Sequence, residues 1–84
     1  MQNREFSTTD LDLAAAIMTA TGRQPEVFRQ PGRPLVTFEF PDDEPTRKII
    51  FAYAGGDLSL PVKQFAACRS LLYRYTREYC NRGR

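Results

Sequence analysis

The densest chemistry in this 84-residue chain is the acidic run Asp42, Asp43 and Glu44. Three adjacent carboxylates could hold a divalent cation or share acid and base duties. Pro45 follows at once, and then Ile49, Ile50 and Tyr53 at helical spacing. Acidic residues ahead of a first-turn proline are what a helix start requires, and their charge complements the positive end of the helix dipole. The run is therefore expected to cap a helix with Asp42 or Asp43. Cys68 is the next group that could react, but it falls on an apolar stripe, where a thiol packs as a small hydrophobe. Cys80 lies near the C-terminal end of the same expected helix, where the dipole disfavours a thiolate. Twelve residues separate the two thiols. On one helix that is about 18 Å of rise, well beyond the Cα separation of about 7 Å that a disulfide allows. The chain has no histidine, so the commonest general base and metal ligand is missing. "AGGD" lacks the lysine and spacing of a phosphate-binding loop. No catalytic residue, metal ligand or cofactor site is expected, and the chain reads as a non-enzyme.

The remaining candidate surface is basic. Lys63, Arg74, Arg77 and Arg82 could grip the phosphates of a nucleic acid, and Tyr73 with Arg69, Arg77 and Arg82 could form an aromatic-basic surface for the bases. The helix that carries them argues for a plainer reading. At about 100° per residue, Pro61, Phe65, Cys68, Leu72, Tyr75 and Tyr79 share one stripe, with Val62 at its edge. Lys63, Ser70, Arg74 and Arg77 fall on the opposite side, and Arg69 flanks the seam. Glu78 can pair with Arg74 and Arg82 at four-residue spacing. The net charge is +2, from 12 basic and 10 acidic residues, far below the excess of a dedicated nucleic-acid binder. The arginines are expected to be the solvated back of an amphipathic helix, with nucleic-acid binding as the alternative.

Four elements must position these residues. "FSTTDLDLAAAIMTATG" carries Leu11, Ala14, Ala15 and Met18 at helical spacing, with Ile17 beside them. Its start is over-signalled. Ser7 as cap would staple Phe6 onto Leu11, whereas Thr9 as cap would form a box with Asp12. Gly22 ends the helix in the left-handed conformation. Two short extended runs follow, one from Val27 and one from Leu35 to Phe40, joined by the turn signal "QPGRP". Val36, Phe38 and Phe40 alternate with Thr37 and Glu39, the period of a half-buried strand. An antiparallel hairpin is expected, with the first and last helices on its Val36/Phe38/Phe40 face, because two strands alone are scarcely stable. A short helix ends at Gly55 and Gly56. Residues 57–60 could add a third strand, and Ser59 is the expected cap of the last helix.

The chain is 42% hydrophobic and 12% aromatic, which suits a folded domain. Residues 1–84 are expected to be one domain with an ordered core of about 6–79 and a basic tail, 80–84. A domain this small buries only about 60–65% of its unfolded surface, and such domains often gain stability by pairing. A homodimer joined through the free edges of the hairpin is expected. "MQNREFSTTD" has no apolar signal-peptide core, and no apolar run reaches the roughly 20 residues of a membrane helix. A cytoplasmic protein with reduced thiols and no membrane contact is the expectation.

The order of landmarks resembles a small bacterial and phage family classed as a domain of unknown function. The resemblance is carried by Phe6 with Thr8 to Leu11, Phe38 and Phe40, Tyr53 with Gly55, and Leu58, Phe65 and Arg69 or Ser70 before Leu71. It implies the same α+β fold over most of the chain and brings no activity with it. The mobile-element setting of that family implies a DNA-related or host-partner role by analogy. A non-catalytic protein-interaction module, with an unidentified protein partner, is the functional expectation.

Overall fold

Alternation in Val36–Pro41 organises the molecule. Val36, Phe38 and Phe40 are buried while Thr37 and Glu39 lie half-buried on the other face. The computed structural model describes residues 5–29, 32 and 35–82, the side chains of 80–82 excepted. Its elements run β1 (Glu5–Thr8), α1 (Leu11–Thr21), β2 (Glu26–Arg29), β3 (Val36–Pro41), α2 (Glu44–Gly55) and α3 (Val62–Arg82). The three strands form an antiparallel sheet in the order β1-β3-β2. The α+β class and the β2–β3 hairpin are as expected from the sequence.

The third strand is not where the sequence placed it. Residues 57–60 form no strand, and β1, read as cap residues, pairs with β3 instead. Phe6 stands opposite Phe40 and Thr8 opposite Phe38. Four residues are too few to declare a period, and Ser7, Thr8 and Thr9 imitate a helix cap. The cap is Asp10, not Ser7 or Thr9. Its carboxylate accepts from the N–H groups of Asp12 and Leu13 at 3.0 and 3.3 Å, while Thr8 Oγ1 accepts from the Asp10 N–H at 3.0 Å. β1 takes one side of β3, so the hairpin keeps only its β2 edge and the sheet gains a second edge at β1.

Ala14, Ala15, Ala16 and Ile17 are all buried, so α1 has no solvated face at its middle. It touches β1, α2 and α3. Alanine, with no side chain beyond Cβ, lets three neighbours approach one helix closely. The core unites Ala14, Ala15 and Ile17 with Val36, Phe38, Phe40 and Leu72. The hairpin's apolar face is thus covered by α1 and α3, as the sequence implied. Burial of each of these larger side chains contributes about 1.5–3 kcal/mol. Gly22 and Gly56 close α1 and α2 with φ of 73° and 76°, a region that costs glycine little. α3 opens differently from expectation. The Pro61 carbonyl, not Ser59, holds the cap position and accepts from Phe65 N–H at 2.9 Å.

Candidate interaction surfaces

Each member of the acidic run has a structural partner. Asp43 caps α2, accepting from Thr46 N–H at 3.2 Å, and pairs with Arg23 beyond the end of α1. The Arg23 guanidinium holds its carboxyl below the ordinary 3.8, and the hydrogen bond from the Thr46 N–H adds to this against the effect of burial. Asp42 pairs with Arg47 at 3.0 Å, and Glu44 with Lys48 at 3.4 Å. Among the described residues no group of three or more histidine, cysteine or acidic side chains could hold a metal ion. Cys68 is a free, half-buried thiol packed against the core. The Cys80 side chain lies outside the described residues.

The α3 seam is as read over most of its length. Leu72 is fully buried, and Phe65, Cys68, Tyr75 and Tyr79 pack around the core. The first turn departs from it, for Pro61 is exposed and Val62 is 80% exposed. α3 has 21 residues and α1 has 11, so about 31 Å of helix crosses about 16 Å. The start of α3 overruns the core that would cover it. On its back, Lys63, Arg74 and Arg77 are exposed, and among the described residues none of the three makes an ion pair. The expected Glu78–Arg74 pair does not form, and Glu78 instead lines a hollow between β2 and α3 beside Tyr75 and Tyr79. Arg82, the fourth residue of the expected basic surface, has its side chain outside the described residues. Arg69 pairs with Asp12, tying α3 to α1. Tyr73 is 53% exposed.

Overrun at the start of α3 creates an apolar groove of about 270 Å³ lined by Ala16, Tyr53, Leu58, Leu60, Val62 and Phe65. Gly56 turns the chain out of α2, and Leu58 and Leu60 of the link that follows complete the groove's lining. The Tyr53 hydroxyl donates to Asp10 Oδ2 at 3.4 Å. Burial, then the charges of Asp10 and Asp12, push this phenol above its ordinary 10.0, so it remains a neutral donor at physiological pH. The lining is otherwise apolar and offers no pair of groups that could exchange a proton with a substrate.

The open face of the sheet has the opposite chemistry. Glu39 stands directly across from Glu26 on β2 and Ser7 on β1, with Glu5 diagonal to it. The hydrogen bond between Glu5 and Glu39, then repulsion from Glu39, raise the Glu5 carboxyl above its ordinary 4.5, and Glu26 adds to this. Phe28, 44% exposed, lies on the same face opposite Thr37. The sequence reading did not assemble these acids, which lie 13 and 21 residues apart (Glu26 to Glu39, Glu5 to Glu26). Glu39's outward register was the available signal, but β1 had to be recognised first. A scan against family models finds no match, nor does comparison with curated proteins or with solved structures.

Proposed function

We propose that this chain is a non-catalytic protein-interaction module that receives an apolar segment of a partner protein in the groove between α1, α2 and the start of α3. The supporting observation is the groove itself, with Val62 80% exposed at its rim. An apolar hollow of this kind is the default candidate for a binding surface, and the uncovered Val62 extends it at the rim. The absence of histidine from the sequence fits a role without acid–base chemistry. The half-buried free thiol of Cys68 suits a reducing, cytoplasmic setting. The test is affinity capture with the wild-type chain and with Val62→Glu as paired baits, after circular dichroism has shown both to be folded. A defined partner held by the wild type and released by the variant is the expected result. Identical retained proteins for both baits would remove the groove from the proposal.

A second reading has its own observation, the exposed stripe of Lys63, Arg74 and Arg77 without ion pairs among the described residues. Here the chain is a nucleic-acid-binding accessory protein. Counterion release then requires affinity for duplex or single-stranded probes to fall steeply with salt. A mobility-shift titration at low ionic strength that shows no complex rules this reading out.

A further inference from the structure

Two faces of this molecule carry opposite charge and point away from a shared core. On α3, Lys63, Ser70, Arg74 and Arg77 lie within about 60° of one another on the side opposite Leu72 and span about 21 Å of helix. On the sheet, Glu5, Glu26 and Glu39 share the side opposite Val36, Phe38 and Phe40, which pack against the helices. The sheet face has no basic residue of its own among the described residues. By register, its other members are Ser7, Phe28, Thr37 and Pro41. Glu26 stands directly opposite Glu39, a like-charge pairing that destabilises a sheet. A cationic surface against this face would turn that repulsion into attraction. Each face also presents an exposed ring, Phe28 at 44% on the sheet and Tyr73 at 53% beside the stripe. An arginine over a phenylalanine face adds a cation–π contact.

We propose that a second copy of this chain docks its open sheet face on the Lys63/Arg74/Arg77 stripe of α3. This rests on the interaction-module reading and leaves the apolar groove free for another partner. Charge complementarity favours a second copy over a polyanion. The net charge is only +2, so long-range attraction to nucleic acid is small, whereas the matching carboxylates are carried by the chain itself. Two different patches meeting make a heterologous contact, which propagates head to tail and does not close as a two-fold pair. The contact is also small. Three strands at about 4.8 Å spacing and six residues at about 3.3 Å give a face of roughly 14 by 20 Å, against about 800 Å² per partner in a stable complex. Association is therefore weak and carried largely by charge.

The experiment is sedimentation equilibrium of the full chain up to about millimolar concentration. It uses the wild type, an acid-face variant (Glu26→Gln with Glu39→Gln) and a stripe variant (Arg74→Gln with Arg77→Gln). Glu26, Arg74 and Arg77 are exposed and Glu39 is half-buried on the open face, and circular dichroism checks the fold of each variant. The wild type should associate at low salt and lose about tenfold or more in apparent affinity at about 0.5 M salt, where screening is nearly complete. Each variant alone should lose association. An equimolar mixture of the two should regain it but stop at two chains, because each has kept one working face. A monomeric wild type, unchanged association in either variant, or a mixture that stays monomeric would overturn the proposal. So would a monomer that binds an oligonucleotide through Arg74 and Arg77, which would return the stripe to nucleic acid. None of these outcomes bears on the groove, whose own test is the Val62→Glu capture.

Discussion

Thr46 shows how much one atom can be at odds with its surroundings. Its side chain is fully buried at the start of α2, and Oγ1 has no hydrogen-bond partner. The neighbouring Asp43 carboxylate feels the hydroxyl, but the two do not meet at bonding geometry. A buried hydroxyl without a partner costs about 1–3 kcal/mol of desolvation. Thr46→Val keeps the branched shape and removes that cost, so it should stabilise the chain by about 1 kcal/mol in a urea titration. A loss of stability would show that the hydroxyl is satisfied. Asp10 is the converse case, since one carboxylate accepts from two backbone N–H groups and from Tyr53. Asp10→Ala should cost about 1–2 kcal/mol, and the phenol of Tyr53 should titrate closer to its ordinary value by ultraviolet absorbance.

At the scale of elements, α3 is the longest and the least evenly held. Its middle is fixed by Leu72, fully buried against α1 and the sheet, while Val62 at its start is 80% exposed. Leu72→Ala should therefore cost about 2–5 kcal/mol through the cavity it leaves, and Val62→Ala less than about 0.5 kcal/mol. Chemical denaturation of the two variants checks the contrast. Equal losses would mean that the start of α3 is buried in solution, by self-association or otherwise. Phe51 on α2 is 78% exposed, and nothing in the packing of α2 on α1 requires an aromatic there. The α3 seam and the β3 alternation were both legible in the sequence, because each repeats its period several times. β1 was not, because four residues hold too few repeats to separate a strand from a cap.

At the scale of the whole molecule, Asp43 and Glu5 give stability opposite slopes with pH on either side of a narrow window. Asp43 is depressed below 3.8, first by Arg23. Its contribution is present above that value and is lost as pH falls through the depressed one. Glu5 is raised above 4.5, first by its hydrogen bond to Glu39. The folded chain then binds that proton more tightly than the unfolded chain, so the contribution is complete below 4.5 and disappears as pH rises through the raised value. These two groups together favour a maximum between 3.8 and 4.5. Glu5→Gln should flatten the fall on the alkaline side, and Asp43→Asn the fall on the acid side, in urea midpoints measured across the range. An unchanged profile for Glu5→Gln would mean that Glu5 does not interact with Glu39 and Glu26.

By itself the sequence determined what local periodicity and local chemistry can encode. The α+β class, the hairpin, the glycine stops at Gly22 and Gly56, the acidic start of α2 and the polarity of α3 all follow from residues within a few turns of one another. Tertiary structure alone decided that Glu5–Thr8 pairs with β3, that α1 is buried all round by its alanines, and that Glu5, Glu26 and Glu39 meet on one face. It also decided that Val62 overruns the core. These outcomes depend on which distant segment comes to lie alongside, and on how far one helix extends past another. No short-range pattern carries that information, because the same four residues or the same alanine run would suit several neighbours equally well.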